Sequence, residues 1–311
     1  MSGKVMVFAP APVLTVTIEQ RTAGQELHVH AGGQGVWQAR MIASLGCEVT
    51  LCAGVGGEIG EVLEGQISRL HPAVRLRSVG LAADSGWYVH DRRRGERDEI
   101  ARQPGPTLNR HDVDELYNTA LIEGLQADVC VLSGPADESV IEADVYRRLA
   151  VDLRTHGGTV VADLSGGPLE AVLEGRPAFV KVSHEELLAD GRAADDSVGA
   201  LVRAGRAMLD EGAGTVLVSR AGEPAIAVLH NRVAAVHPPR LEVVDHRGAG
   251  DSMSAGVAAV LAKGGLIEDA IRTGAAAGAL NVTRHGLGTG RGDAVRELVG
   301  RTSLEDLPFE P

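Results

Sequence analysis

An α/β fold is predicted for this sequence: a mostly parallel central sheet with helices on both faces, and a small β-sheet standing off it. Three observations carry that reading. From residue 109 onward, apolar runs of strand length alternate with segments whose apolar residues recur at helical spacing, which builds a parallel sheet covered on both sides. Two earlier stretches, 13–30 and 86–100, alternate polar with apolar residues, as half-exposed strands do. The chain has 311 residues and 44% hydrophobic content, enough for a substantial core, and no repeat, low-complexity tract or linker divides it. One α/β domain over 1–311 is expected.

In chain order, residues 4–9 form an apolar strand that Pro10 and Pro12 interrupt. In 13–19, Thr15, Thr17 and Glu19 fall on one side and Val16 and Ile18 on the other, and with 26–30 this reads as a hairpin. Gly32-Gly33-Gln34-Gly35 is a flexible turn before a helix over 36–45, which Gly46 ends. Residues 48–53 are the next buried strand and 57–70 a helix. The stretch 86–100 carries Arg92-Arg93-Arg94, read as a solvated hairpin tip. Helix 112–126, strand 128–133, helix 140–155, strand 159–163, a short helix, strand 178–182, helix 198–211 and strand 214–219 then alternate. A hairpin-like stretch over 225–238 precedes two Ala-rich helices, 252–263 and 267–282.

The formal charge of −12 argues against a nucleic-acid partner or an anionic membrane surface, because both need a basic face. Cys47, Cys52 and Cys130 fit no metal-ligand spacing and read as reduced core residues. No signal peptide or membrane-spanning run is recognisable, so a cytoplasmic location is expected.

In parallel sheets ligands bind outside the carboxyl ends of the strands. The loops that fall there include Gly32-Gly33, Ser133-Gly134, Asp163, residues 181–186, residues 219–222 and residues 245–251. The last is the most informative, because Gly248-Ala249-Gly250 opens directly into a helix. Small residues leave the backbone N–H groups of that turn unshielded, and the helix adds its positive end, so the turn can hold an anion. Asp251 follows at once. A carboxylate beside an anion site is costly unless it is there to take a proton, although an ordinary N-cap is the rival reading. Other phosphate and catalytic motifs fail. No Walker-type loop occurs, Ile59 stands where a dinucleotide fingerprint needs glycine, His184-Glu185-Glu186-Leu187-Leu188 lacks a closing histidine, and there is no Gly-x-Ser-x-Gly elbow.

With these residues in view, the chain resembles the ribokinase or PfkB family of carbohydrate kinases, most of all its 1-phosphofructokinase and tagatose-6-phosphate kinase branch. Asp245-His246-Arg247-Gly248-Ala249-Gly250-Asp251 matches the family signature Asp-Thr-x-Gly-Ala-Gly-Asp with His246 in place of threonine. Ala31-Gly32-Gly33-Gln34-Gly35 resembles the Gly-Gly substrate motif, and Gln103-Pro104-Gly105-Pro106 a Glu-Pro-Gly-Pro segment. Lys181-Val182-Ser183-His184-Glu185-Glu186 resembles Lys-Pro-Asn-x-x-Glu, and Asn281 stands where the last adenine-side helix would end.

The resemblance implies a ribokinase-like fold whose small sheet, about 10–31 and 84–103, is a lid over the acceptor. It implies transfer of the γ-phosphoryl group of ATP to a hydroxyl of a sugar or sugar-like molecule, with Mg²⁺. Asp251 would be the general base, and the N–H groups of Gly248, Ala249 and Gly250 would hold the developing charge. Glu186 would help arrange magnesium through water. Ser183, Ser219, Gly222 and Asn281 would contact nucleotide, and Asp245 is placed beside the cradle, where a monovalent cation could sit. A homodimer formed through the lid is implied as well.

The acceptor side departs from the family. Where Asn-Pro-Ala-x-Asp is usual, the chain has Ala9-Pro10-Ala11-Pro12-Val13; where Gly-Gly-Lys-Gly-x-Asn is usual, it has Gly32-Gly33-Gln34-Gly35-Val36-Trp37. Ser85-Gly86-Trp87-Tyr88 replaces Thr-Arg-x-Asn. A sugar-binding acid and two phosphate-pairing bases thus become Val13, Gln34 and Gly86, while Trp37 and Trp87 are gained. Gly32, Gly33, Gln34, Trp37 and Val13 are expected to face the acceptor, and fructose 1-phosphate and 6-phosphate are disfavoured. Retention of Asp251 and the glycine turn speaks for an active kinase. The rewritten acceptor side speaks for the alternative, a non-catalytic relative that binds a nucleotide or metabolite.

Overall fold

The structure, a computed structural model, describes residues 2–308 except Glu96 and His285, the former inside the expected lid segment. The chain opens with β1 (Lys4–Ala9), β2 (Val13–Arg21), β3 (Gly24–Gly32), α1 (Gln34–Ser44), β4 (Glu48–Val55), α2 (Gly57–Ile67), β5 (Val74–Gly80), β6 (Trp87–Asp91) and β7 (Asp98–Gln103). It continues through α3 (Arg110–Gly124), β8 (Val129–Ser133), α4 (Ala143–Thr155), β9 (Thr159–Asp163), α5 (Gly166–Glu174), β10 (Phe179–Ser183), α6 (His184–Ala189) and α7 (Val198–Asp210). It closes with β11 (Thr215–Arg220), β12 (Glu223–Leu229), β13 (Arg232–His237), α8 (Ala249–Leu261), α9 (Ile267–Asn281), α10 (Gly292–Val299) and β14 (Ser303–Asp306).

Ten strands form the main sheet in the order β14-β13-β12-β11-β10-β9-β8-β1-β4-β5. The run from β11 to β5 is parallel, and β12, β13 and β14 extend it antiparallel. Parallel strands covered on both faces must be apolar throughout, and β8 (Val-Cys-Val-Leu-Ser) is buried at every position. Helices flank it with periodic faces: α7 buries Leu201, Ala204, Gly205, Met208 and Leu209, spaced to make one stripe. Two core clusters, one on each face, hold the sheet between them. The three cysteines are buried and unpaired. Among the described residues no helix is long and apolar enough to cross a membrane.

Four elements were not foreseen: β5, which ends the main sheet, β14, which forms its other edge, and the helices α6 and α10. The small sheet has the order β3-β2-β6-β7. The two exposed stretches are not separate hairpins, because β2 pairs in parallel with β6, Thr15 opposite Tyr88 and Thr17 opposite His90. The face carrying Leu14, Val16, Val29, Ala31 and Trp87 packs on the core. The opposite face carries Thr15, Thr17, His28 and His30.

Candidate active site

The glycine turn and Asp251 lie at the start of α8. Gly248 is its N-cap in the left-handed region, φ 68°, a conformation that glycine adopts without steric cost. Helix geometry leaves the first-turn N–H groups without acceptors inside the helix, and they face forward with the positive dipole end. Gly250 is small for a different reason. A Cβ there would stand 2.5 Å from Lys181 Nζ, so the turn lies directly against a buried ammonium.

That ammonium belongs to a buried network. Lys181 on β10 is 6% exposed and ion-pairs with Asp163 Oδ1 at 3.3 Å; Asp163, at the end of β9, is 2% exposed. The other carboxylate oxygen of Asp163 accepts from Gln38 Nε2 on α1 at 2.8 Å and from Ser254 Oγ on α8 at 2.6 Å. Gln38 accepts in turn from the Ser133 hydroxyl at the end of β8, and Tyr146 donates to the Ser133 carbonyl at 3.1 Å. Asp163 therefore ties three elements together beneath the turn, with its lone pairs satisfied and its charge opposed, as a buried carboxylate requires.

Asp251 has less compensation. Burial and the like charge of Asp163 push its carboxyl up to about 8; Lys181 and a hydrogen bond from Gln34 oppose this, and Glu186 adds to it. Burial alone would discharge Lys181, but Asp163, Glu186 and Asp251 outweigh it and hold the ammonium above its ordinary value. Three acids thus face one base. Its neighbour Ser252 is 1% exposed, and its hydroxyl has no partner among the described residues.

The expected nucleotide-side residues are arranged as follows. Ser183 and Glu186 form a reciprocal capping box on α6, Ser183 Oγ accepting from the Glu186 N–H at 3.1 Å and Glu186 Oε2 from the Ser183 N–H at 2.6 Å. One oxygen of Glu186 is thereby committed to the backbone. Ser219, at the end of β11, lies 3.3 Å through its carbonyl from His184 Nδ1. Gly222 follows Ala221, which holds φ 46°, and a Cβ on Gly222 would meet nothing within 4 Å. Asn281 is fully buried: its amide donates to the Arg247 carbonyl at 2.6 Å and its oxygen accepts from the Gly288 N–H at 3.0 Å. It fastens the glycine turn to the 286–290 loop. Among the described residues no group of three or more His, Cys, Asp or Glu is arranged to hold a metal.

On the acceptor side the expected residues separate. Val13 is 5% exposed and part of the core. Gly33 caps α1 and accepts from the Val36 and Trp37 N–H groups. Gln34 turns inward, donating to the Asp163 carbonyl at 3.2 Å as well as reaching Asp251. Gly32 and Trp37 line a cavity of about 440 Å³ beneath the small sheet, together with Asp245. Trp87 is on the other face of that sheet, packed on the core, with its Nε1 donating to Gln103 at 3.2 Å. Arg92 is not a solvated tip residue. It is 16% exposed, 3.6 Å from Asp245 Oδ2 and 3.8 Å from Glu19 Oε1, and so links the small sheet to the glycine turn. The other oxygen of Asp245 accepts from the Arg247 N–H at 3.1 Å.

Sequence reasoning placed Asp163 and Lys181 among the strand-end loops where ligands bind but did not pair them, and it overlooked Gln38 and Ser254. The signal was present: a lysine inside the otherwise apolar run Phe-Val-Lys-Val-Ser must have a buried partner.

Residues 4–292 match the family described as pfkB family carbohydrate kinase. The 1-phosphofructokinase of Bacillus subtilis (strain 168) is 29% identical over 268 residues, spanning 84% of each chain. Among solved structures, phosphofructokinase-2 from Escherichia coli in complex with fructose-6-phosphate superposes with a TM-score of 0.80 at 24% identity, over 96% of this chain and 99% of that one. Arabidopsis thaliana ribokinase complexed with ribose and ATP gives 0.76 at 18% identity, over the same shares. At these identities the two structures establish a shared ribokinase-like fold.

Proposed function

The chain belongs to the PfkB family of carbohydrate kinases, and from that premise we propose that Asp251 is the general base of an ATP-dependent sugar phosphorylation carried out at the start of α8. The observation that carries this is geometric: Asp251 stands in the first turn of α8, directly behind the left-handed Gly248 cap and beside the Lys181–Asp163 pair that lies against Gly250, and burial with the charge of Asp163 raises its carboxyl. Raised above the usual carboxylate range, the ionised form of Asp251 is a stronger base than an ordinary carboxylate, which suits a general base worth roughly 10²–10⁴-fold in rate. The N–H groups of Gly248, Ala249 and Gly250 face the place where phosphoryl charge develops, and donors of this kind are typically worth about 10²-fold or more each. Lys181, against Gly250, adds a fixed positive charge below the turn and ion-pairs with Asp163.

Magnesium, when bound with the nucleotide, neutralises phosphate charge. The donor set fits an ion that keeps most of its water, since Asp163, Glu186 and Asp251 together exceed the single ammonium of Lys181 yet form no cage. Glu186 supplies the acidic surface for it. Ser183, Ser219 and Gly222 flank the nucleotide side, and Asn281 acts as a positioning residue that holds the turn in place. With both oxygens of Asp245 facing Arg92 and Arg247, dependence on a monovalent cation through that side chain requires Arg92 to move, which activity with and without potassium checks.

The small sheet serves as a lid that keeps water from the phosphoryl group. Its outer strands β3 and β7 carry the exposed Leu27 and Ile100 and form the contact of a homodimer; a monomer by light scattering at micromolar concentration would contradict that. The kinase assignment is tested by an ATP-consumption screen over sugars, sugar phosphates and nucleosides, with Asp251→Ala as control. Turnover of at least one acceptor that disappears in the variant is the expected result.

A further inference from the structure

Asp245 stands just ahead of the left-handed Gly248 that opens α8. Its side chain is 9% exposed, and it places a negative charge beside N–H groups suited to an anion. Left unopposed, that charge would repel the phosphate the turn can hold, and a partly buried charge is only weakly screened by salt. The cation that opposes it comes from another part of the fold. Arg92 Nη2 lies 3.6 Å from Asp245 Oδ2, and among the described residues this is the one ion pair that joins the small sheet to the loop of the glycine turn.

The two partners belong to different bodies. Arg92 directly follows β6, and its N–H donates to the Ile18 carbonyl of β2 at 2.8 Å, so it travels with the small sheet. Asp245 is fixed to the core: its N–H and that of Val244 donate to the Val282 carbonyl at the end of α9, at 3.1 and 2.7 Å. Their alternatives also differ. Glu19, which Arg92 faces at 3.8 Å, has Arg21 as a second partner at 3.0 Å. Apart from Arg92, Asp245 has the Arg247 N–H at 3.1 Å and, at 3.9 Å, the half-exposed Arg247 guanidinium. Displacing the small sheet therefore leaves Glu19 paired and leaves Asp245 without its buried cation.

We propose that Arg92 is a positioning residue for phosphoryl transfer: carried by the small sheet, its guanidinium neutralises Asp245 beside the glycine turn, so that closure of the sheet and phosphate binding at the turn favour each other. The coupling is reciprocal by linkage. Whatever holds the sheet down prepares the turn for phosphate, and phosphate at the turn holds the sheet down. Water is then excluded at the moment the nucleotide is gripped. The next arginine cannot substitute, because Arg93 is engaged within its own turn by Asp91 at 2.7 Å. The proposal rests on the reading of the α8 turn as the transfer site, and not on Asp251 as the base.

Hydrogen exchange and calorimetric titration of the full chain with MgATP test it, and neither needs the acceptor. In the wild type, MgATP should slow amide exchange in β2 and β6 as well as at the turn. Arg92→Met should lose that protection in the small sheet and weaken MgATP about fivefold or more, the lower end of ordinary coupling between sites, while melting with the wild type. Arg92→Lys, which keeps the charge, should recover most of the affinity, and Arg93→Ala should bind as the wild type does. Asp245→Asn removes the charge that Arg92 answers, so Arg92→Met should weaken MgATP no further in that background. A loss of the same size in both backgrounds, or unchanged MgATP affinity and small-sheet protection in Arg92→Met, overturns the proposal. Turnover by Asp251→Asn would instead overturn the base and leave these results standing, and a wild type that does not bind MgATP would overturn the transfer site and this proposal with it.

Discussion

Beneath the glycine turn, buried charges are matched before any ligand arrives: Asp163 has Lys181, Gln38 and Ser254, and Asp251 faces the same ammonium. Under the small sheet Arg40 and Arg97 form no ion pair, and Arg97 Nε and His90 Nδ1 have no hydrogen-bond partner among the described residues. The Asp163 network is preorganised, so its charges need not move when chemistry occurs. A network left incomplete stores a cost that a ligand can remove, which gives selectivity for whatever removes it. The two regions meet at Asp245, which lines the cavity and precedes the glycine turn.

The sharpest way to break this comparison is to remove one cation from each half. Lys181→Met strands Asp163, Glu186 and Asp251 without an ammonium and should cost about 3–5 kcal/mol in denaturant unfolding, since it orphans a buried charge. Arg97→Met should cost nothing by the same measurement; equal losses would erase the distinction. Next in size is the pH profile. Turnover should rise with pH as Asp251 loses its proton, about tenfold per unit well below the midpoint near 8, and then level. Gln34→Leu removes a hydrogen bond that favours the ionised form, so the midpoint should move upward; an unchanged midpoint would assign the ionisation elsewhere. The smallest effect is expected at the junction of the halves. Arg92→Ala breaks a 3.6 Å pair with Asp245, and its effect on stability should stay within about 1 kcal/mol and shrink as salt is added.

Most of the fold was legible because parallel strands and their helices write distinct periods, and β8, β9, β10 and β11 fall close to where those periods change. Of the missed elements, β5 and β14 are edge strands with mixed exposure, which leaves little periodic signal. The glycine turn was legible because small residues directly before an Ala-rich helix leave its first N–H groups unshielded. The acceptor half was less so. Trp37 does line the cavity, but Val13 is core and Trp87 is on the opposite face, because a residue's side of a short strand depends on pairing that local alternation does not determine. Arg40 and Arg97 are far apart in sequence and line one cavity only because α1 and the β6–β7 turn both face it.

Asp251→Asn tests the central claim most directly, with turnover, nucleotide affinity and thermal unfolding measured on the same preparations. A carboxyl raised from its ordinary value to about 8 keeps a proton in the folded state that the unfolded chain releases, so its contribution to stability falls as pH rises between about 4 and 8. The amide escapes that penalty. The variant should therefore bind nucleotide as before, lose turnover by about 10²-fold or more, and gain melting temperature over the wild type, with a larger gain at pH 8 than at pH 5. Substantial turnover in Asp251→Asn, or a melting temperature that drops relative to the wild type as pH rises, would contradict Asp251 as the base.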